Sequence, residues 1–172
     1  MCTFGAVSPS EVLCWRLSTN TVATEKYLLA MQCLNSAIAL EATNPKVHER
    51  TVQFQHAVAP ELGSLPATTA EVLKSEFPAL KEGGDLNEFN DEFVAANKAS
   101  PRHWHAGIRA RRMLGGDKAE CEERLVKLAG MEGLELEDAL EVLGTLREWK
   151  SGRADAFKEV ARKRWPEASG FA

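Results

Sequence analysis

The sequence predicts an all-α fold of antiparallel helix pairs, and three observations carry that expectation. Apolar residues recur at spacings of three and four in segment after segment, and no stretch alternates with the period of two that a half-buried strand requires. Glycines and prolines gather at 60–66, 83–84, 115–116 and 130–133, cutting the chain into helix-length pieces joined by short loops. The 172 residues are also enough to bury an ordinary core without a disulfide or metal staple.

Each element follows from its own pattern. In residues 25–42, Tyr27, Ala30, Met31, Leu34, Ala37 and Ile38 share one helical face while Leu29, Cys33 and Leu40 occupy the other. A helix that is apolar on two sides is sandwiched between neighbours. Asn44 then reads as an N-cap and Pro45 as the first residue of a second helix, with Val47, Thr51, Phe54 and Val58 in line. Beyond the loop at 60–66, Thr68 and Thr69 can cap a third helix whose apolar side is Val72, Leu73, Phe77 and Leu80, and which Pro78 ends or bends. Asp85 caps the next, with Leu86, Phe89, Phe93 and Ala96 in register. Ser100-Pro101 opens another, running to Gly115 through Trp104, Ile108 and Leu114. Three more follow. The first, at about 117–129, turns Cys121, Leu125 and Leu128 inward; the second, at about 136–150, turns in Leu136, Leu140, Leu143 and Leu146; the third, at about 153–165, uses Phe157, Val160 and Ala161 and stops at Pro166. The expected total is seven to nine helices.

Composition narrows the function. A net charge of −4 excludes an extreme polybasic nucleic-acid binder, and no apolar run approaches the roughly 20 residues of a membrane span. Cys2, Cys14, Cys33 and Cys121 are scattered and form no C-x-x-C pair, which argues against a zinc ribbon or a secreted disulfide framework. The start MCTFGAV lacks the basic and apolar regions of a signal peptide, so a cytoplasmic location is expected.

Catalytic chemistry finds no footing. His103 and His105, two apart on a helix, point about 200° from each other and cannot grip one metal, so they read as surface or interface histidines. His48 lies in an N-P-x-x-H turn where packing or capping explains it, and His56 has no identifiable partner. No G-x-S-x-G elbow positions a nucleophile. No catalytic residue and no metal site is identified.

Residues 27–54 resemble the second helix of a tetratricopeptide (TPR) repeat followed by the first helix of the next, with Ala30 and Ala37 where paired helices cross closely. The fold class therefore sharpens to antiparallel pairs stacked as a TPR-like helical repeat or bundle. A longer resemblance is more specific. The run KYLLAMQCLNSAIALEATNPKVHERTVQF, the VLKSEF, NEFNDEF and SPRH segments, and the closing ALEVLGTLREWKSGRADAFKEVARKRWPEASGF keep the order seen in the C-terminal portion of the auxiliary subunit of the N-terminal acetyltransferase A complex, NatA. The likeness spans 26–171 and includes the N-P-x-x-H turn and the aromatic-Pro pair Trp165-Pro166. Members of that family are several times longer. Residues 1–24 match poorly and read as a separate N-terminal segment; 25–172 read as a single α-helical domain, with a TPR-like pair at 25–59 and a helical C-terminal region at 67–172.

The resemblance implies a non-catalytic scaffold whose partner chain transfers the acetyl group. An acetyltransferase of the related catalytic family would need a [QR]-x-x-G-x-[GA] turn to hold the cofactor's pyrophosphate. The nearest string, Arg112-Met113-Leu114-Gly115-Gly116-Asp117, puts a carboxylate where Gly or Ala belongs and reads better as a glycine stop followed by an Asp N-cap. No cofactor site is identified. Two basic clusters remain, Arg109 with Arg111 and Arg112, and Lys158 with Arg162, Lys163 and Arg164; a solvated helix end explains the latter, and contact with ribosomal RNA or an acidic partner is the sharper reading. Trp149, Phe157, Arg162, Lys163 and Trp165 are the candidate partner-binding residues. The resemblance implies the NatA catalytic subunit as partner, with a HYPK-like regulatory protein and the ribosome as further ones. The alternative is an independent TPR-like adaptor.

Overall fold

A computed structural model describes residues 23–171; the separate segment expected at 1–24 lies almost wholly outside them. Among the described residues there are eight α-helices, three short 3₁₀ turns and no strand, as the periodicity predicts. In chain order the helices are α1 (Ala23–Glu41), α2 (Pro45–Val58), α3 (Ala67–Glu76), α4 (Leu86–Ala96), α5 (Pro101–Met113), α6 (Lys118–Leu128), α7 (Leu136–Glu148) and α8 (Ala154–Arg164). None is long and apolar enough to cross a membrane. The chain divides into two compact units between Leu86 and Asn87.

In the first unit α1 packs on α2 and α3 around Met31, Leu34, Val58, Leu73, Phe77 and Leu80. The turn before α2 forms as its sequence requires: the Asn44 side chain accepts a hydrogen bond from the Lys46 N–H at 2.9 Å, and Pro45 supplies a first residue that needs no hydrogen-bond partner for its nitrogen. Phe54 bridges Tyr27 and Phe77, with ring centroids 6.3 and 5.3 Å away. Phe77 is extended, as a residue before proline must be, so α3 ends at Glu76 and Pro78 starts a 3₁₀ turn.

Three expectations for this unit are corrected. The buried face of α2 is His48, Thr51, Val52, Gln55 and Val58, rotated from the apolar row expected, because His48 and Gln55 are polar residues that nonetheless point inward. Helix α3 starts at Ala67 behind Pro66, so Thr69 is buried in its first turn and is not a cap, while Val72 is exposed. The second apolar face of α1 is not sandwiched among the described residues, since Leu29 and Leu40 are exposed.

In the second unit α5 packs on α6 and α7, and α8 packs on α6 and α7. The core contains Ile108, Cys121, Leu125, Leu128, Leu143, Leu146 and Phe157. Helix α5 ends on a paired-carbonyl stop: the Gly115 N–H reaches Arg112 O at 3.3 Å and the Gly116 N–H reaches Arg111 O at 2.9 Å. Gly115 has φ +90°, a conformation that a side chain would strain, and the Asp117 carboxylate then caps α6 through the Glu120 N–H at 2.8 Å. Both halves of the glycine-stop and Asp-cap reading are therefore present.

The inward faces of the last two helices differ from expectation. Helix α7 buries Asp138, Ala139, Val142, Leu143, Thr145 and Leu146, whereas Leu136 and Leu140 are 37% and 39% exposed. On α8, Phe157 and Ala161 are buried but Val160 is 38% exposed. The leucine row 136, 140, 143 competes with a second row through 139, 142 and 146, and Ala139 at 0% exposure shows which one meets the core. Small residues let helices approach, so Ala139 marks the contact better than the larger leucines do.

Helix α4 is anchored by a polar residue. Leu86, Phe89 and Phe93 are only half-buried and Ala96 is exposed, while Asn90 is enclosed and donates its side-chain N–H to Gly107 O at 3.0 Å. Gly107 permits that approach: a Cβ there would sit 2.1 Å from Val94 Cγ2.

Candidate partner-binding surface

The closing residues of the second unit fold back on its core, and that decides which of the candidate residues face solvent. Phe171 is wholly buried; its ring lies 6.0 Å from Trp165, nearly parallel, and 6.5 Å from Phe157. Phe157 itself has no exposed surface and supports its neighbours from inside. Trp149 ends α7 half-buried against the same core, and Trp165 does so at the end of α8. Both indoles keep part of their surface accessible, one ahead of α8 and one at its end.

The basic end of α8 is divided in its work. Arg162 donates through Nε to the Phe171 carbonyl. Arg164 donates to Met131 O at 2.7 Å and lies 4.9 Å from the centre of the Trp165 ring, a cation–π arrangement. Arg162 fastens the closing turn, and Arg164 fastens the end of α8 to the loop ahead of α7. Lys163, between them, is exposed. The structure thus brings Arg162, Trp165 and Phe157 together around Phe171.

The three arginines of α5, which have no acid near them in sequence, find partners in space. Arg111 pairs with both Asp91 oxygens at 3.0 and 3.1 Å, Arg109 lies 3.5 Å from Glu148, and Arg112 donates to Gly116 O at 3.3 Å. Arg102 pairs with Asp138 and Glu135, and the Asp138 hydrogen bond and charge hold its guanidinium above the ordinary arginine value.

The histidines separate as their spacing predicts, but His105 is not a surface group. It is buried and meets the Thr145 hydroxyl at 2.8 Å, whereas His103 meets Ser100 Oγ at 2.6 Å and lies 5.2 Å from the Phe93 ring. His48 is buried within α2 and His56 is exposed. No group of three His, Cys, Asp or Glu residues among the described ones is placed to hold a metal ion. Cys121 is a buried free thiol that burial and the neighbouring Glu120 charge push above its ordinary value, the opposite of an activated nucleophile.

At the one string resembling a cofactor loop, the Gly115 and Gly116 amides are already bonded to the carbonyls of α5. They close a helix and are not free to cradle a pyrophosphate.

Sequence reasoning missed Asn90, Thr145 and the exposure of Leu136, Leu140 and Val160. An isolated Asn or Thr inside an amphipathic pattern carries no sign of whether it points inward, and only the position of the neighbouring helix decides it.

No family model matches the chain. Curated proteins do. It is 33% identical over 100 residues to the mouse protein N-alpha-acetyltransferase 16, NatA auxiliary subunit, and 31% identical over 100 residues to the human protein of that name, in each case over 58% of this chain. It is 30% identical over 133 residues, 73% of this chain, to the N-terminal acetyltransferase A complex auxiliary subunit of Arabidopsis thaliana. The matched stretch spans 11% of each mammalian relative and 14% of the plant one. The resemblance read from the sequence is borne out: over that stretch the chain is a homologue of NatA auxiliary subunits and corresponds to a short part of their length.

Proposed function

We propose that the chain is a non-catalytic scaffold segment of a cytoplasmic NatA complex, with acetyl transfer from acetyl-CoA performed by another chain. The observation that carries this reading is the similarity to NatA auxiliary subunits in two mammals and a plant. The described residues, helical throughout with no strand and with no group of three His, Cys, Asp or Glu placed to hold a metal ion, support it by offering helix surfaces. The surfaces we assign to partners are the half-buried Trp149 at the turn between α7 and α8 and, about 16 Å away along α8, the C-terminal end of that helix, where the half-buried Trp165 follows Arg162 and Lys163. Phe157 contributes by shaping that end from beneath. The NatA catalytic subunit is the first partner expected, and a HYPK-like protein and the ribosome are further ones.

The test is capture of purified NatA catalytic subunit, and of proteins from a cytosolic extract, by the tagged full chain. Recovery of the catalytic subunit, reduced by Lys163→Glu with Trp149→Ala, supports the reading. Steady capture of other proteins without it favours an independent helical adaptor. Acetylation of N-terminal peptides by the chain alone, free of co-purifying enzyme, would refute a scaffold.

A further inference from the structure

The second unit carries an open groove of about 360 Å³ that is separate from the end of α7 and α8. Its walls come from three elements: Asp91, Val94 and Ala95 of α4, Trp104 and Arg111 of α5, and Arg124 of α6, with Lys98 at the rim just beyond α4. Beneath it a slot of about 30 Å³, room for about one water, reaches Ile108 and Cys121. The Trp104 ring is fixed in place because its N–H donates to Lys98 O at 2.9 Å.

We propose that this groove docks an acidic peptide segment that inserts one apolar side chain between flanking carboxylates. Charge complementarity selects that occupant. Arg111 engages Asp91 through a single terminal nitrogen, and Arg124 engages Glu120 through one terminal nitrogen at 2.6 Å. Each guanidinium has five N–H donors, so each keeps several for a further carboxylate, and each is already held in place by its own partner. Lys98 makes no side-chain hydrogen bond or ion pair among the described residues and adds a third positive charge at the rim. Trp104, Val94 and Ala95 between these cations supply an apolar floor for a side chain.

The same census disfavours other occupants. Asp91 and Glu120 stand among the three cations, so a phosphate chain such as RNA meets two like charges, whereas a short peptide can place its carboxylates at the cations alone. An open groove of this size covers too little of a small molecule to bind it well, since ligand pockets enclose most of their ligand. The proposal goes beyond the NatA reading and stands without it.

The experiment is fluorescence anisotropy with the full chain and a labelled synthetic peptide in which one leucine is flanked on each side by two glutamates. Binding is expected at low salt, weakening as salt rises. It should weaken about tenfold in Arg111→Glu with Arg124→Glu and about threefold in Lys98→Glu, and be unchanged in Lys81→Glu, which lies in the other unit. Because Arg111 and Arg124 also pair within the fold, Lys98→Glu is the decisive variant: the side chain is exposed, and a thermal melt of the variant is expected to match the parent. Five results overturn the proposal: no binding of the glutamate peptide, unchanged binding in Lys98→Glu, equal binding of a lysine-for-glutamate peptide, equal binding of an alanine-for-leucine peptide, or tighter binding of an oligouridine that displaces the glutamate peptide.

Discussion

His105 Nε2 and Thr145 Oγ1 lie 2.8 Å apart, joining α5 to α7 through one buried hydroxyl. Arg109 donates to the same oxygen at 3.0 Å, and the oxygen is 3.2 Å from Glu141 O on its own helix. A hydroxyl has one proton and two lone pairs. If its proton goes to the Glu141 carbonyl, Arg109 and His105 must both donate to it, which assigns the imidazole proton to Nε2 in the neutral ring. All three contacts are then satisfied at once.

That arrangement predicts an acid sensitivity. Burial first, and the Arg109 charge second, hold the His105 pKa down to about 4 from 6.5. Between these values the unfolded chain binds a proton that the folded chain refuses, so stability rises with pH through this window and is fully present above about 6.5. As pH falls from 6.5 toward 4, roughly 3 kcal/mol should be lost, at about 1.4 kcal/mol per pH unit. Urea unfolding at pH 7 and pH 5 in the parent and in His105→Gln measures it. The variant should start less stable and change less between the two values; an equally steep loss in both would assign the effect to carboxylates.

Gly107→Ala should destabilise the second unit even though alanine is the better helix former. The new Cβ would meet Val94 Cγ2 at 2.1 Å, and the contact lies beside the Asn90 hydrogen bond to Gly107 O. Overpacking of this kind costs about 1–3 kcal/mol, against roughly 1 kcal/mol gained in helix propensity. Adding Val94→Ala to the same chain should recover most of the loss, and the double-mutant cycle reads the coupling directly. Additive effects would mean that α4 can shift away from α5 at no cost.

Helix existence and punctuation were readable from the sequence because they depend on local chemistry. Asn44-Pro45, Pro78 and Gly115-Gly116-Asp117 act within a few residues of themselves, and each starts or stops a helix as its type dictates. Facing is not local. Leu140 and Leu143 have the same hydrophobicity, yet one is exposed and the other buried, because Ala139 and Leu146 bring the neighbouring helices to the other row. The α8 end shows the same limit: four cations in sequence read as one basic tail, but Arg162 and Arg164 turn back to carbonyls of Phe171 and Met131 and leave Lys163 outward. The NatA resemblance was carried by ordered motifs and did not depend on facing at all.

Lys150→Gly should stabilise the chain. Lys150 follows α7 with φ +51°, and its N–H and that of Ser151 close the helix on Arg147 O and Leu146 O at 2.9 Å each. This is the stop that α5 makes with Gly115, except that a side chain occupies the left-handed position. Glycine removes the Cβ strain there, which is worth about 1 kcal/mol. Thermal melts check the sign. A loss on substitution would show that the lysine side chain contributes more at the helix end, through the dipole, than its backbone strain costs.

Leu143→Ala and Val160→Ala separate the core from the surface of the closing helices. Leu143 is 1% exposed at the centre of the α7 contact, so truncation removes buried methyl groups and leaves a cavity, at a cost of about 2–5 kcal/mol. Val160 is 38% exposed on α8, and its truncation leaves no enclosed space. Exposed helix positions move stability by about 0.5 kcal/mol or less, and alanine's better propensity offsets part of any lost contact. Urea melts should therefore show a large shift for Leu143→Ala and almost none for Val160→Ala. Comparable losses at the two positions would place Val160 inside the core and rotate α8 relative to the packing described. With α8 as it stands, Val160 is a partly exposed surface residue, and Val160→Asp, its melt recorded beside the parent's, probes whether any partner covers that face.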